Sequence, residues 1–294
     1  MSKFNLPGHF YLILASLCYS FEWWMVRELH TLGASSIEIA FYKGFFTVLL
    51  IGGNFIITGK IAENFRSIEK KYIFPLIAFG LIFLYGNSAY AEALQHTQVM
   101  NVLIIIYLSI FLGILSGWLF FGEKIVRSLI LWAILAFMGI ILTLYTGSLA
   151  FSFGIGEWIA LSIAFTLTIT SSIVKWTPGL NTWFRLLIAY SIGTMILIGI
   201  IAYQGRLGGL FTSPMLLGVG LLYSVSTGLL GRGLKDLGTK TVPIGQMGII
   251  MLLEPILQII TASVFAHEIP TGINIFGMGI VFLSIIGVST TKRI

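Results

Sequence analysis

The sequence predicts an all-α membrane protein with ten transmembrane helices, and three observations lead to this fold class. Of the 294 residues, 57% are hydrophobic and only 10% are charged, whereas soluble domains carry about 25% charged residues. Apolar stretches of about 20 residues, the length that a helix needs to cross a bilayer, recur along the whole chain. The connections between them are short, because ten spans in 294 residues leave roughly 29 residues for each span and its loop.

Each predicted span is an apolar stretch bounded by charged or turn-forming residues. The stretches cover residues 8–27, 36–58, 72–93, 98–121, 127–147, 156–175, 181–203, 213–231, 241–265 and 270–290. The first stretch meets Glu22 before any small-residue cleavage site, so we interpret it as a span and not as a removable signal peptide. Cys18 is the single cysteine, which excludes an internal disulfide and a cysteine-based metal cluster.

The basic residues predict the orientation of the spans. With the N-terminus inside and the loops alternating, Arg27 and Arg206 fall outside, Lys43 falls within a span, and the other 14 of the 17 Lys and Arg residues fall inside. These 14 are Lys3, Lys60, Arg66, Lys70, Lys71, Lys124, Arg127, Lys175, Arg185, Arg232, Lys235, Lys240, Lys292 and Arg293. The imbalance is typical of short cytoplasmic loops. It predicts a multi-pass protein of the cell (inner) membrane with both termini cytoplasmic, and it explains the net charge of +6 without nucleic-acid binding.

The two halves of the chain are predicted to be inverted repeats, residues 1–147 and 148–294. A shift of 145 residues places residues 108–112 on 253–257 and Phe121-Gly122-Glu123 on Ala266-His267-Glu268, and a shift of 148 places Val26-Arg27 on Val174-Lys175. Because five helices per repeat is an odd number, the repeats have opposite orientations in the membrane. Inverted repeats are typical of transporters that alternate access around a midplane site.

Short motifs in both halves carry a family resemblance. The first half has Glu92-Ala93-Leu94-Gln95-His96-Thr97, Tyr107-Leu108-Ser109 and Phe121-Gly122-Glu123-Lys124-Ile125, and the second has Gly233-Leu234-Lys235-Asp236-Leu237-Gly238, Leu253-Glu254-Pro255, His267-Glu268 and a final span with Gly277 and Gly287. Together they resemble the EamA-like branch of the drug/metabolite transporter superfamily over essentially the whole chain. The sequence departs from the family pattern at Ile110, where proline is usual, and at Lys43, where arginine is common.

The resemblance implies ten spans in two inverted five-helix repeats. It also implies a central cavity lined mainly by helices 1, 3, 4, 6, 8 and 9. The substrates of the family include amino acids, nucleotide sugars, phosphorylated sugars, choline and drugs, so the resemblance does not identify a ligand.

Two carboxylates deep in predicted spans are candidates for substrate binding and proton coupling. Glu22 lies in the first span, and Glu254 precedes Pro255 in the ninth. A carboxylate at bilayer depth costs about 2.5–3.5 kcal/mol on insertion scales, so it must face a wet cavity, pair with a cation or be protonated. Proline removes a backbone donor from a helix, which is typical of hinges and sites at the midplane. Pairing of Glu22 with Lys43, and a simple packing kink at Glu254, are the structural alternatives.

Further residues are expected around these carboxylates. Lys43 is interpreted as part of a structural ion pair with Glu22 or Glu38, and binding of an anionic ligand is its alternative. Asn87 and Tyr90 share a helix face by their spacing, and hydroxyls are concentrated on the sixth and eighth spans, although such hydroxyls often bond their own backbone. The predicted substrate-binding residues besides Glu22 and Glu254 are Trp23, Trp24, Asn87, Tyr90, Thr170, Tyr223 and Thr227. Aromatic rings beside a carboxylate favour an organic cation or a zwitterion such as an amino acid.

These features predict a secondary active transporter of a small metabolite by alternating access, coupled to protons or working by exchange. The substrate is expected to be an amino acid, an organic cation or a similar zwitterion, and a drug exporter is the alternative. A channel is a remote alternative, because inverted halves argue against it. An intramembrane enzyme is another, since His9, His30, His96 and His267 lie far apart without ligand spacing. No cofactor, metal or nucleic acid is predicted. The expected partners are the substrate and membrane lipid, and we expect a monomer with a dimer left open.

Overall fold

The computed structural model describes residues 7–145, 154–265 and 269–290, and these residues form helices and no strands. The α-helices are α1 (Gly8–Tyr19), α2 (Glu22–Thr31), α3 (Ser36–Ile57), α4 (Ile61–Arg66), α5 (Lys70–His96), α6 (Val99–Ile106), α7 (Ser109–Phe121), α8 (Arg127–Thr143), α9 (Ile155–Trp176), α10 (Thr182–Tyr203), α11 (Pro214–Tyr223), α12 (Arg232–Thr239), α13 (Ile244–Ile250), α14 (Leu253–Phe265) and α15 (Gly272–Thr290). A 3-10 turn covers Leu207–Gly209, and a π-helical segment, Ser224–Gly231, joins α11 to α12. Glu268, which the repeat alignment pairs with Glu123, lies outside the described residues.

Within the described ranges, eight helical segments are long and apolar enough to cross a membrane. They are Ser36–Ile57, Lys70–His96, Val99–Phe121, Ile155–Trp176, Thr182–Tyr203, Pro214–Thr239, Ile244–Thr261 and Gly272–Thr290. The apolar helix Arg127–Thr143 is shorter, and the first predicted span is divided into α1 and α2. The structure therefore confirms an all-helical membrane protein, with eight spans by this measure where the sequence predicted ten.

The ninth predicted span differs from its expected form. Instead of one kinked helix, the structure has α13 and α14, with the break at Met251 and Leu252. Pro255 lies in the first turn of α14, where a missing backbone N–H leaves no hydrogen bond unmade. Glu254 lies in the same turn, where the positive end of the helix dipole favours a carboxylate. Pro255 is thus part of a helix start.

The eighth span extends further than predicted. The sequence places its end at residue 231, but the helix continues through α12 to Thr239. As a result Arg232 and Lys235 are only 3% and 8% exposed, so their prediction as loop residues was wrong. Arg185, predicted at the cytoplasmic end of the seventh span, is fully buried in α10. A prediction from hydropathy ends a span at the first charged residue. Here the charged residues lie inside the bundle, and Arg185 and Arg232 share the carboxylate of Asp236.

Close helix packing surrounds a space in the middle of the bundle. The pairs α8–α15, α5–α9, α3–α10, α5–α10, α1–α12 and α7–α13 make the most extensive contacts. In the first pair, a Cβ atom at Gly277 would lie 2.4 Å from the backbone nitrogen of Thr143, so only glycine allows the two helices to approach this closely. The remaining pairs enclose a central cavity between the two halves of the chain.

Candidate functional site

A central cavity of about 130 Å³ lies between helices from both halves of the chain. Its apolar walls include Phe83, Leu103, Ile163 and Met251. Polar and charged side chains also face it: Tyr19, Glu22, Lys43, Asn87, Tyr90, Tyr107, Ser109, Thr166, Thr168, Thr170, Arg232, Lys235 and Glu254. A mainly apolar pocket with a few convergent polar groups is the usual form of a small-molecule site.

Glu22 and Lys43 form a buried ion pair at one side of the central cavity. Lys43 Nζ lies 2.9 Å from Glu22 Oε1, and their side chains are 4% and 11% exposed. The Tyr223 hydroxyl donates to the same carboxylate oxygen at 3.0 Å, and the ammonium lies 4.8 Å from the centre of the Tyr223 ring. Glu22 is therefore already satisfied by a cation and a hydroxyl. This pairing is one of the two that the sequence left open for Lys43, and the other candidate, Glu38, instead pairs with Arg206 at 3.1 Å.

Asp236 joins two buried guanidinium groups on another side of the cavity. Arg185 Nη2 donates to Asp236 Oδ2 at 3.2 Å, and Arg232 Nε lies 2.9 Å from Asp236 Oδ1. The Arg232 guanidinium also lies 4.8 Å from the centre of the Phe83 ring and 5.0 Å from that of Phe79, within the range of cation–π attraction. We call Arg185, Arg232 and Asp236 the arginine–aspartate triad. It has two positive charges and one negative charge.

Lys235 and Glu254 are the two charged cavity residues without a salt bridge in the part of the chain that the structure describes, although each is close enough to feel the charge of the other. Both line the central cavity. No carboxylate of that part lies within 4.0 Å of the Lys235 ammonium, and its side chain makes no hydrogen bond there. Glu254 accepts one hydrogen bond, from Gln258 Nε2 at 3.2 Å. An ammonium and a carboxylate are thus left available to a bound molecule.

One face of the bundle opens into a second cavity, which we call the vestibule. It has a volume of about 910 Å³, and its rim includes His30, Gln95 and Arg206, so we call this the His30 face. Leu103 lines both cavities, and Gln258 of the vestibule donates to Glu254 of the central cavity. A thin layer of side chains therefore separates the central cavity from the vestibule.

The opposite face is closed by contacts between the two halves. Lys175 donates a hydrogen bond to Glu123, and Glu123 Oε2 accepts from the backbone N–H of Ile244 at 3.2 Å. We call this the Glu123 face. Nearby, Lys240 Nζ donates to the carbonyl of Leu180 at 2.7 Å. Burial and the positive charge of Arg185 lower the pKa of Lys240 to about 8.

The structure brings most of the predicted site residues together. Glu22, Asn87, Tyr90, Thr170 and Glu254 line the central cavity. The Thr170 hydroxyl donates to the carbonyl of Thr166 at 2.8 Å, and Asn87 Nδ2 donates to that of Phe83 at 2.7 Å. These two groups are thus partly used within their own helices.

The other four predicted residues lie elsewhere. Tyr223 is buried behind Glu22, and the Thr227 hydroxyl donates to the Tyr223 carbonyl at 2.9 Å, so Thr227 supports the helix. Trp23 lines the vestibule. Trp24 is 42% exposed and lines neither cavity.

Sequence reasoning missed the charged face of α12. Arg232, Lys235 and Asp236 have i, i+3 and i+4 spacing, which places them on one side of a helix. The signal that could have predicted this face was the presence of charges of both signs, at helical spacing, between two apolar stretches. Because they were counted as loop residues, their contribution to the cavity was not anticipated.

The fold is that of a helical, multi-pass membrane protein with a cavity in the middle of its bundle. The model of the EamA-like transporter family matches residues 6–145, which confirms the resemblance to the drug/metabolite transporter superfamily. A solved structure described as "Crystal structure of protein" matches with a TM-score of 0.77, covers 97% of each chain and is 15% identical, which shows the fold alone. No curated protein matches the sequence.

Proposed function

We propose that this protein is a secondary active transporter that carries a small metabolite across the inner membrane by alternating access. The observation that carries the proposal is a central cavity built by both halves of the chain, near an open vestibule on one face and closed on the other. A carrier needs one site that is reached from one side at a time. This arrangement corresponds to a conformation in which the central cavity is reached from the vestibule.

The packing of the helices supports two inverted repeats. We count α1–α2, α3, α5, α6–α7 and α8 as spans 1–5, and α9, α10, α11–α12, α13–α14 and α15 as spans 6–10. The main contacts then join spans 2 and 7, 4 and 9, and 5 and 10. Contact between spans 3 and 6 matches contact between spans 8 and 1, and contact between spans 3 and 7 matches contact between spans 8 and 2. A two-fold axis in the membrane plane would exchange the halves in this way.

The helix breaks support the same repeats. Span 4 is interrupted between Ile106 and Ser109, and span 9 between Ile250 and Leu253. The two breaks are 144 residues apart, close to the shift of 145 that aligns the two halves of the sequence. Interrupted helices at corresponding positions of two repeats are typical of transporter sites.

The basic residues support the orientation. The Glu123 face carries Lys124, Lys175 and Lys240, whereas Arg27 and Arg206 lie at the His30 face. By the positive-inside pattern, this supports an orientation with the Glu123 face and both termini on the cytoplasmic side. The vestibule would open to the outside.

The two cavity carboxylates differ in what they are free to do. Glu22 is held by Lys43 and Tyr223, which favours a structural role for it. Among the residues that the structure describes, Glu254 accepts a hydrogen bond from the neutral amide of Gln258 alone and has no salt bridge, which favours contact with a substrate cation or a transported proton. We therefore assign the coupling role to Glu254 and expect an amino acid, an organic cation or a similar zwitterion as the substrate. Drug export remains the alternative, because the cavity walls are mainly apolar.

Transport by purified protein in sealed vesicles tests the proposal. Radiolabelled amino acids and choline are offered with an imposed proton gradient, and Glu254→Gln is compared with wild type and with Glu69→Gln, a control at an exposed site. We expect saturable uptake above the equilibrium level, which Glu254→Gln reduces to simple exchange. Unchanged, pH-dependent accumulation by Glu254→Gln would refute the coupling role. Unsaturated flux with unitary currents would identify a channel instead.

A further inference from the structure

We propose that Arg232 and Lys235 of α12 bind a carboxylate group of the transported compound. The substrate would then be a carboxylic acid that also carries a cationic nitrogen, such as an amino acid, and a simple organic cation would be excluded. This inference rests on the proposed function, since it names the chemistry of the same central cavity. It chooses among substrate classes that the sequence left open.

The first observation is the environment of Lys235. Its side chain lines the central cavity although the residue is only 8% exposed. Within the described ranges it makes no hydrogen bond, and no carboxylate lies within 4.0 Å of its ammonium. A buried charge is costly unless it is paired and hydrogen-bonded. A ligand carboxylate would supply the missing partner.

The second observation is the environment of Arg232, one helical turn from Lys235. Its spacing of three residues places it on the same face of α12, and it also lines the cavity. Its Nη2 atom is buried and has no hydrogen-bond partner among the residues described. A guanidinium edge beside an ammonium is well suited to the two oxygens of a carboxylate.

The third observation is the local balance of charge. Around α12 there are three cationic side chains, Arg185, Arg232 and Lys235, and one carboxylate, Asp236, which the two arginines already share. The Glu22 carboxylate is taken by Lys43. The net charge of the side chains near α12 is therefore positive, and it attracts an anionic group of a ligand.

The position of Glu254 favours a carboxylate over a phosphate as the anionic group of the ligand. Its carboxylate lines the same cavity of about 130 Å³ and would repel a phosphate dianion. An amino acid avoids this conflict, because its ammonium group can face Glu254 while its carboxylate faces Arg232 and Lys235. The two opposite charges of the cavity that form no salt bridge among the described residues thus match the two charges of a zwitterion.

Binding of matched ligand pairs to the purified full chain tests the inference. The probes are the protein amino acids, their α-amides, which lack the carboxylate charge, choline and inorganic phosphate. Binding is measured by thermal unfolding and by calorimetry. We expect at least one amino acid to bind with an affinity at least tenfold above that of its amide, a difference of about 1.4 kcal/mol.

Variants of Lys235 show whether this residue senses the carboxylate. Lys235→Met should weaken binding of the amino acid at least tenfold and leave binding of the amide nearly unchanged, so the preference for the acid disappears. Lys235→Arg should keep most of the preference. Lys70→Met is the control, because Lys70 is exposed at the start of α5. A merely structural role would weaken the acid and the amide equally.

Each outcome decides the inference. Equal binding of acid and amide, preference for choline or phosphate, no amino-acid binding, or a retained acid preference in Lys235→Met would overturn it. Amino-acid binding that depends on Lys235, in a protein that does not accumulate the amino acid in vesicles, would refute the transport proposal and leave the carboxylate site standing. Transport of cations that is insensitive to Lys235→Met would refute the carboxylate site and leave the transport proposal standing.

Discussion

Replacing Asp236 by asparagine is predicted to destabilise the protein severely. The substitution keeps the shape of the side chain but removes the single negative charge of the arginine–aspartate triad. Arg185 and Arg232 contact that carboxylate at 3.2 and 2.9 Å, and the three side chains are at most 3% exposed. The variant would therefore leave two guanidinium groups buried without a counter-charge.

The size of the expected destabilisation depends on how deeply the ion pair is buried and not on the distance between the charged atoms. Breaking a buried ion pair by removing one partner costs about 3–5 kcal/mol. The exposed pair of Lys71 and Glu69 is shorter, at 2.7 Å, but its side chains are 62% and 59% exposed, and pairs of this kind contribute at most about 1 kcal/mol. Glu69→Gln is thus the matched control for Asp236→Asn.

Thermal unfolding in detergent is the assay. For a chain of this size, a loss of 3–5 kcal/mol corresponds to a fall of about 6–10 °C in the unfolding midpoint, whereas Glu69→Gln should shift it by no more than about 2 °C. Asp236→Asn combined with Arg185→Gln should lose less than the sum of the two single changes, because one uncompensated charge is removed. If Asp236→Asn shifts the midpoint no more than the control, the triad is not a buried ionic cluster and the reasoning fails.

Three further changes test other contacts. Glu123→Gln should loosen the closed face and speed deuterium exchange of the helix that begins at Ile244, and unchanged exchange would count against the contact. Gly277→Ala should destabilise by about 1–3 kcal/mol through overpacking, while Gly279→Ala, whose Cβ meets nothing within 4 Å, should be neutral or stabilising in the same unfolding assay. The pKa of Lys240 is about 8 in the folded protein against an ordinary 10.5. Between these two pH values the unfolded chain holds the Lys240 proton and the folded protein has lost it. The stability of the wild type should therefore rise with pH between about 8 and 10.5, and a rise that persists in Lys240→Gln would show another origin.

The sequence alone predicts the membrane class, most of the helical segments and the presence of charges inside them. These properties are local, because the length and apolar character of a stretch decide whether it can cross a bilayer. Glu22, Lys43 and Glu254 stand out for the same reason, since a charge within an apolar stretch needs a partner or a cavity. The charges of α12 were missed because hydropathy cannot distinguish a loop from the interior of a bundle.

The tertiary structure decided which of these groups meet. Lys43 is five residues from Glu38 in sequence but pairs with Glu22 from another helix, and Glu38 pairs instead with Arg206. Glu22 and Trp23 are neighbours in sequence, yet one lines the central cavity and the other the vestibule. Helical periodicity places a side chain on a face of its own helix. Which cavity or partner that face meets depends on how the helices pack, and this is set by contacts between residues far apart in the chain.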